Sequence, residues 1–234
     1  MAGNVKAKRP YESPRRQAQA EATRRDILAA AQRRFEANGY PATTMAEIAK
    51  EAGVALKTVY LAFQTKSGLL RALWNLLLRG DETGRPVAER QWYLDVLAEQ
   101  DPERQLRLNA RNSANGKQRI SAILEVIRTA ATVDPDVAVL WRRIQSDYHA
   151  NQRAIVEQLH KRRHLHPELD IQRGTDILWT INHPNTWQLL VADRGWTPEQ
   201  YEHWTGDLAC TQLLRPPRPR SSQRSKATAR RTEH

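Results

Sequence analysis

A chain of 234 residues with 40% hydrophobic residues and seven tryptophans suits one or two packed domains. Its formal charge of +11 points toward polyanions, and its single cysteine, Cys210, excludes a disulfide framework within the chain. The basic N-terminus lacks the apolar run of a secretory signal, and no stretch reaches the roughly 18 apolar residues of a membrane helix. The expectation is a cytoplasmic, nucleoid-associated protein with no membrane partner.

The charge is unevenly spread. Residues 1–20 carry +4 and residues 215–234 carry +6, whereas residues 21–80 carry +4 and residues 81–214 carry −3. Two basic tails therefore account for most of the high isoelectric point, and such tails attach to any polyanion. Both are expected to be disordered: the last segment, RPPRPRSSQRSKATARRTEH, is rich in Pro, Ser and Arg and has almost nothing to bury.

Between the tails, every well-marked signal is helical. Helices are predicted over roughly 21–37, 44–52, 56–63, 66–79, 86–99, 102–114, 117–132, 135–162, 170–182, 185–193 and 198–214. Thr44 and Glu47 make a capping box. Asp101-Pro102 and Asp134-Pro135 each join a capping side chain to Pro at the first helical position, and Thr197-Pro198-Glu199-Gln200 combines both devices. Gly39, Gly80, Gly116 and Gly195 are the expected stops. The predicted class is all-α, divided into a DNA-binding unit over 21–80 and a larger helical domain over 81–214.

The stretch TTMAEIAKEAGVALKTVYLAFQTKSGLL, Thr43 to Leu70, carries the functional argument. Its first two helices are too short to hold themselves together by backbone bonds, so tertiary packing must hold them. Ile27, Ala31 and Phe35 form one apolar stripe, and Met45, Ile48, Ala49 and Ala52 form another. Val59 and Phe63, four residues apart, must face these stripes. Lys57, Tyr60, Leu61 and Gln64 then point outward, with Thr58 at the edge. A helix, a tight glycine turn at Gly53 and a second helix over 44–63 make a helix-turn-helix, whose second helix enters the DNA major groove. Lys57 suits a guanine edge or a phosphate, and Leu61 a thymine methyl. Thr58 and Tyr60 suit phosphates, Thr44 opens a helix N-terminus that favours one, and Lys66 is expected at the opposite phosphate wall. Ala55, where the second helix begins, belongs to the same DNA-facing set.

These residues resemble the N-terminal domain of TetR-type transcriptional regulators. The resemblance covers about 60 residues and rests on Phe35-x-x-x-Gly39-Tyr40, Thr43-Thr44, Ile48-Ala49, Ala52-Gly53-Val54, Thr58-x-Tyr60, Phe63 and Lys66. Three positions depart from the family's usual pattern: Ala62, the Ser67-Gly68 pair, and Leu56-Lys57 at the start of the recognition helix. The resemblance implies a homodimer on a near-palindromic duplex and a C-terminal half that senses a small-molecule effector and dimerises. Residues 177–214, ILWTINHPNTWQLLVADRGWTPEQYEHWTGDLACTQLL, resemble the helices of a dimer bundle. The implied activity is a repressor released from its operator by ligand. The competing reading is a non-specific DNA-coating protein bound through its tails.

Trp92, Trp141 and Trp179 lie on different predicted helices of the C-terminal half and are the candidates for lining a ligand pocket. His160 and His164 have metal-ligand spacing, but Lys161, Arg162 and Arg163 beside them repel a cation, so a solvated helix end is expected. Cys210, next to Leu208, Ala209 and Leu213, is expected to be a buried apolar thiol. Asn182-His183-Pro184 is read as a structural break, because Pro184 has no N–H to continue a helix. Asp147-Tyr148-His149 is not an acid–base pair, since i, i+2 neighbours on a helix diverge. No phosphate loop, nucleophile elbow or zinc-binding His-Glu-x-x-His motif is present, so neither an enzyme nor a cofactor or metal site is expected.

Overall fold

The computed structural model describes residues 14–79 and 86–216. Among the described residues the regular elements are helical, and the sole extended pairing is one bridge between Leu165 and Leu214. The chain runs through α1 (Pro14–Ala42), α2 (Met45–Glu51), α3 (Leu56–Phe63) and α4 (Lys66–Arg79). A 3-10 turn (Val87–Glu89) then leads into α5 (Gln91–Ala98), α6 (Pro102–Ala130) and α7 (Pro135–Lys161). The last elements are α8 (Ile171–Ile181), the single turn α9 (Pro184–Trp187), a π-helical turn (Gln188–Asp193) and α10 (Pro198–Leu213).

Several boundaries differ from the sequence reading. Helix α1 begins at Pro14, so residues 14–20, expected in the tail, are helical and extend the α1 rod into solvent. The rest of the expected tails, 1–13 and 217–234, and the stop at Gly80 lie outside the described residues. At Gly39 the backbone leaves the helix (φ 74°, ψ 170°), as a stop should, and one further turn follows. Gly116 stops nothing: α6 passes through it for 29 residues. The reason is tertiary. Helix α6 packs along its length against α10, α1, α4, α5 and α7, and this burial outweighs the roughly 1 kcal/mol that a mid-helix glycine costs.

The predicted caps form. Asp101 and Asp134 accept backbone N–H bonds at the starts of α6 and α7, and Thr197 with Gln200 makes a capping box on α10; Asp170, not expected as a cap, accepts a backbone N–H bond at the start of α8. The Asn182-His183-Pro184 break ends α8 and starts α9, with His183 as the cap.

Helices α1 to α4 share one apolar core with the end of α6 and the start of α7. It joins Ile27, Phe35, Ile48, Val59 and Phe63 to Leu69, Trp74, Ile123, Ile127 and Val137. The division expected near residue 80 is therefore not a gap in packing. The Tyr40 hydroxyl donates to Asp134 at 2.5 Å across the junction, and Ser67 donates to Asp136 at 3.4 Å. A second core, around Leu106, Ile155, Leu159 and Leu178, holds α5 to α8 and α10 together.

Candidate nucleic-acid interface and ligand cavity

The first helices are fixed by polar clamps as well as by apolar burial. Thr43, fully buried, donates to the carbonyls of Gly39 at 2.8 Å and Arg34 at 3.1 Å. Glu51 on α2 receives Arg33 and Arg34 from α1, and these guanidiniums hold its carboxyl below the usual range. Arg24 of α1 lies 4.3 Å over the Phe63 ring and donates to the Ala62 carbonyl at 3.1 Å, fastening the end of α3. Gly53 takes φ 66° in the turn between α2 and α3, a left-handed backbone that an L side chain resists.

Clamped in this way, α3 buries Val59 and Phe63 and presents the opposite face to solvent. Leu61 is 75% exposed and Tyr60 48% exposed, although exposing such large apolar surface is unfavourable unless a partner covers it. Ala55, Leu56, Lys57 and Gln64 are exposed on the same helix, and Thr58 is half-buried at its edge. Ala55 supplies no side-chain cap, so the N–H groups that open α3 are left for an anion such as a DNA phosphate.

Two of the expected phosphate contacts are otherwise engaged. The Thr44 hydroxyl and amide are both bonded to the Glu47 carboxylate, and the Glu47 amide donates back to Thr44 at 3.2 Å. The α2 N-terminus thus already holds an anion, with the Glu47 carboxyl kept low chiefly by the Thr44 backbone bond. Lys66 turns inward. Its ammonium donates to the carbonyls of Tyr40 at 2.9 Å and Thr43 at 3.0 Å and sits 4.2 Å from the Tyr40 ring. It closes the end of α1 rather than standing free as a phosphate clamp, because the turn there leaves carbonyls without helical donors.

A cavity of about 140 Å³ lies between the helices of the C-terminal half. Trp74 and Leu78 of α4, Trp92 and Tyr93 of α5, Ile120 of α6 and Ile144 of α7 give it mainly apolar walls. Of the three predicted tryptophans only Trp92 lines it. Trp141 lines a smaller neighbouring pocket of about 20 Å³. Trp179 lines neither, because α8 turns its ring onto His183, at 4.6 Å, and toward His149.

Comparison with known proteins agrees with the helix-turn-helix geometry. Residues 27–73 match the family model described as bacterial regulatory proteins, tetR family. The HTH-type transcriptional regulator TtgR of Pseudomonas putida is 28% identical over 159 residues, 67% of this chain and 74% of that protein. The HTH-type transcriptional regulator AcrR of Shigella flexneri is 41% identical over 58 residues, 25% of this chain and 27% of its own. Over residues 27–73 this chain carries the N-terminal domain of the tetR family, and it is similar to TetR-type transcriptional regulators. Its fold is also that of NalD, the secondary repressor of the MexAB-OprM multidrug efflux pump in Pseudomonas aeruginosa, with a TM-score of 0.67. That alignment covers 85% of this chain and 99% of NalD at 20% identity.

Helix α4 both begins beside α3 and supplies Trp74 and Leu78 to the cavity wall. Trp74 was overlooked as a wall residue, although an aromatic midway along a connecting helix is a visible signal. Lys117 was overlooked as well. Ser113, Lys117, Ile120 and Leu124 follow helical spacing, so a lysine stands within an apolar stripe of α6. It is 4% exposed and lines both pockets. Its ammonium donates to Ser113 Oγ and, at 3.4 Å, to Tyr148 Oη, and Tyr148 in turn donates to the Asn182 carbonyl. The Asn182-His183-Pro184 break and Tyr148 therefore belong to a buried polar network around this lysine.

Cys210 is half-buried, and burial raises its thiol's pKa. His164 and His166 sit in the turn paired with the end of α10: the His166 amide donates to Leu213 at 2.7 Å. No helix among the described residues is long and apolar enough to cross a membrane.

Proposed function

We propose that this regulator is a homodimeric, ligand-controlled repressor acting on chromosomal DNA in the cytoplasm. The exposed face of α3, made of Lys57, Tyr60 and Leu61 on a helix with no polar cap, carries the proposal. Lys57 donates to a guanine edge or phosphate, Leu61 covers a thymine methyl, and Thr58, Tyr60 and the uncapped amides at Ala55 meet phosphates. Thr44 and Lys66 act mainly by holding α1, α2 and α4 in place.

Two chains would pair through α8 and α10, which makes the DNA site two-fold. The outer side of α10 exposes His203, Trp204 and Asp207. Two copies would present their α3 helices one helical turn apart, about 34 Å, on successive major grooves. The effector reading rests on α4: a molecule filling the cavity touches Trp74 and Leu78 and biases the angle of the helix that carries the recognition unit. It releases DNA to the extent that it prefers the DNA-incompetent spacing.

Sedimentation of the full chain tests the dimer reading, alone and with a full-site or half-site duplex. The expected results are a free mass of twice 26.9 kDa, two chains per full site, and much weaker binding to the half site. A monomer that binds both duplexes equally would instead favour DNA coating by the basic tails.

A further inference from the structure

We propose that the cavity selects amphipathic organic anions, an aromatic or aliphatic body with one carboxylate, whose head group pairs with the Lys117 ammonium and the Gln145 amide. The proposal rests on the ligand-sensing reading above and names the chemistry of that site.

A buried ammonium destabilises a fold unless an opposite charge compensates it. Every charged or titratable group that faces Lys117 fails to do so. On α7, Tyr148 is pushed far up by burial and stays a neutral phenol, and Asp147 at the cavity rim pairs with Arg143 at 3.7 Å. On α6, Glu125 is held by Arg128 at 2.5 and 2.7 Å. On α10, Tyr201 is raised by burial, and on α5 burial pushes Tyr93 up to about 12. His183, before α9, donates from Nε2 to Gln145 and accepts the Asn185 amide at Nδ1, so it is neutral. Burial, then the Lys117 charge, holds its pKa low.

The ammonium's contacts are thus a neutral hydroxyl, Ser113 Oγ, a phenol, and the ring faces of Tyr201 at 5.3 Å and Tyr148 at 5.8 Å. Two further polar groups nearby have no partner. Gln145 Nε2, in the cavity wall, donates to nothing, and the Tyr201 hydroxyl is likewise unsatisfied. Lys117 and Gln145 both line this mainly apolar cavity, and the carboxylate among its lining residues, Asp147, is paired with Arg143, so the two donors are complementary to a carboxylate on an apolar body. In the free protein, burial pushes the Lys117 pKa down to about 7, and a bound carboxylate would restore it.

The experiment is isothermal titration of the full chain with 2-naphthoate, 2-naphthamide and 2-naphthylmethylammonium, repeated near pH 8 in two buffers of different ionisation heat. Naphthoate should bind at least tenfold more tightly than the amide, the cation should bind worst, and proton uptake should accompany naphthoate binding near pH 8. In Lys117→Met, checked for folding by circular dichroism, the acid and the amide should bind alike. Equal binding of acid and amide by the native chain, no binding of naphthoate, or no proton uptake would each overturn the proposal. The proton uptake needs no variant, so a misfolded Lys117→Met chain does not block the test. Operator affinity measured in the same titrations separates the two readings. Naphthoate that binds without weakening operator binding leaves the anion site standing and removes ligand control. Amide and acid that bind alike and both release DNA do the reverse.

Discussion

Single side chains give the most direct tests. Lys57 and Leu61 project from α3 and support nothing inside the fold, so Lys57→Ala and Leu61→Ala should leave Tm within about 1 °C, as surface changes do. Each should weaken operator binding by about 1–3 kcal/mol and blur sequence preference at its own position. Lys66→Ala should behave differently. Its ammonium bonds two backbone carbonyls, so the variant should lose stability as well as affinity, seen as a lower Tm and a uniform loss across sequences. Lys117 gives a pH test. Its ammonium titrates near 10.5 when exposed and near 7 in the fold. Between those values the unfolded chain binds the extra proton, so this group's penalty is full below pH 7 and fades as pH rises. Lys117→Met should therefore raise Tm by about 4–8 °C at pH 6, with a gain that shrinks toward pH 10, in thermal melts across that range. A gain independent of pH would mean that the lysine titrates normally.

At the scale of elements, two glycines inside helices have opposite roles. A Cβ at Gly68 would lie 2.5 Å from the Phe63 carbonyl, because the α3–α4 turn is tight and Gln64 sits at φ 62°, ψ −53°. Thr65 donates back to Phe63 across that turn at 2.7 Å. Gly68→Ala should cost about 1–3 kcal/mol by forcing α4 away from α3. A Cβ at Gly116 would meet nothing within 4 Å, so Gly116→Ala should stabilise α6 by up to about 1 kcal/mol. Chemical denaturation of both variants checks the pair. The sequence showed the departure at Gly68 but not its cause, since the pressure comes from a carbonyl five residues away. Gly116 was misread as a stop for the same reason: local propensity is visible in the sequence, whereas the burial of α6 against the helices around it is not. The caps at Thr44, Asp101, Asp134 and Thr197 were legible because each is a short-range device. The direction of a ring such as Trp179 depends on helix rotation within the bundle, and no short motif encodes it.

For the whole molecule, the shared core makes a specific demand. Ile27, Phe35 and Trp74 pack in one cluster with Ile123, Ile127 and Val137, and Tyr40 bonds Asp134 across the junction. The recognition unit and the cavity domain should therefore unfold together, giving one calorimetric transition; two separate transitions would show that α4 transmits nothing by packing. The Asp134 carboxyl, which burial alone would raise, is held low by the Tyr40 hydroxyl and the Val137 and Asp136 amides. This support is present above the ordinary carboxylate range and is lost in acid. The outward face of α3 was readable from sequence because short-helix packing leaves few choices of side. The anion preference proposed for the cavity was not, because it depends on which charges fail to reach Lys117. The central claim is that α3 reads DNA sequence, and selection from random duplexes followed by anisotropy over a salt series tests it most directly. The full chain and a fragment of residues 14–216 should both enrich one near-palindrome and bind it orders of magnitude more tightly than random DNA, and Lys57→Ala and Leu61→Ala should erode that margin. If nothing is enriched, and only the full chain binds, with a steep salt dependence, then the tails are the DNA-binding element and the account is wrong.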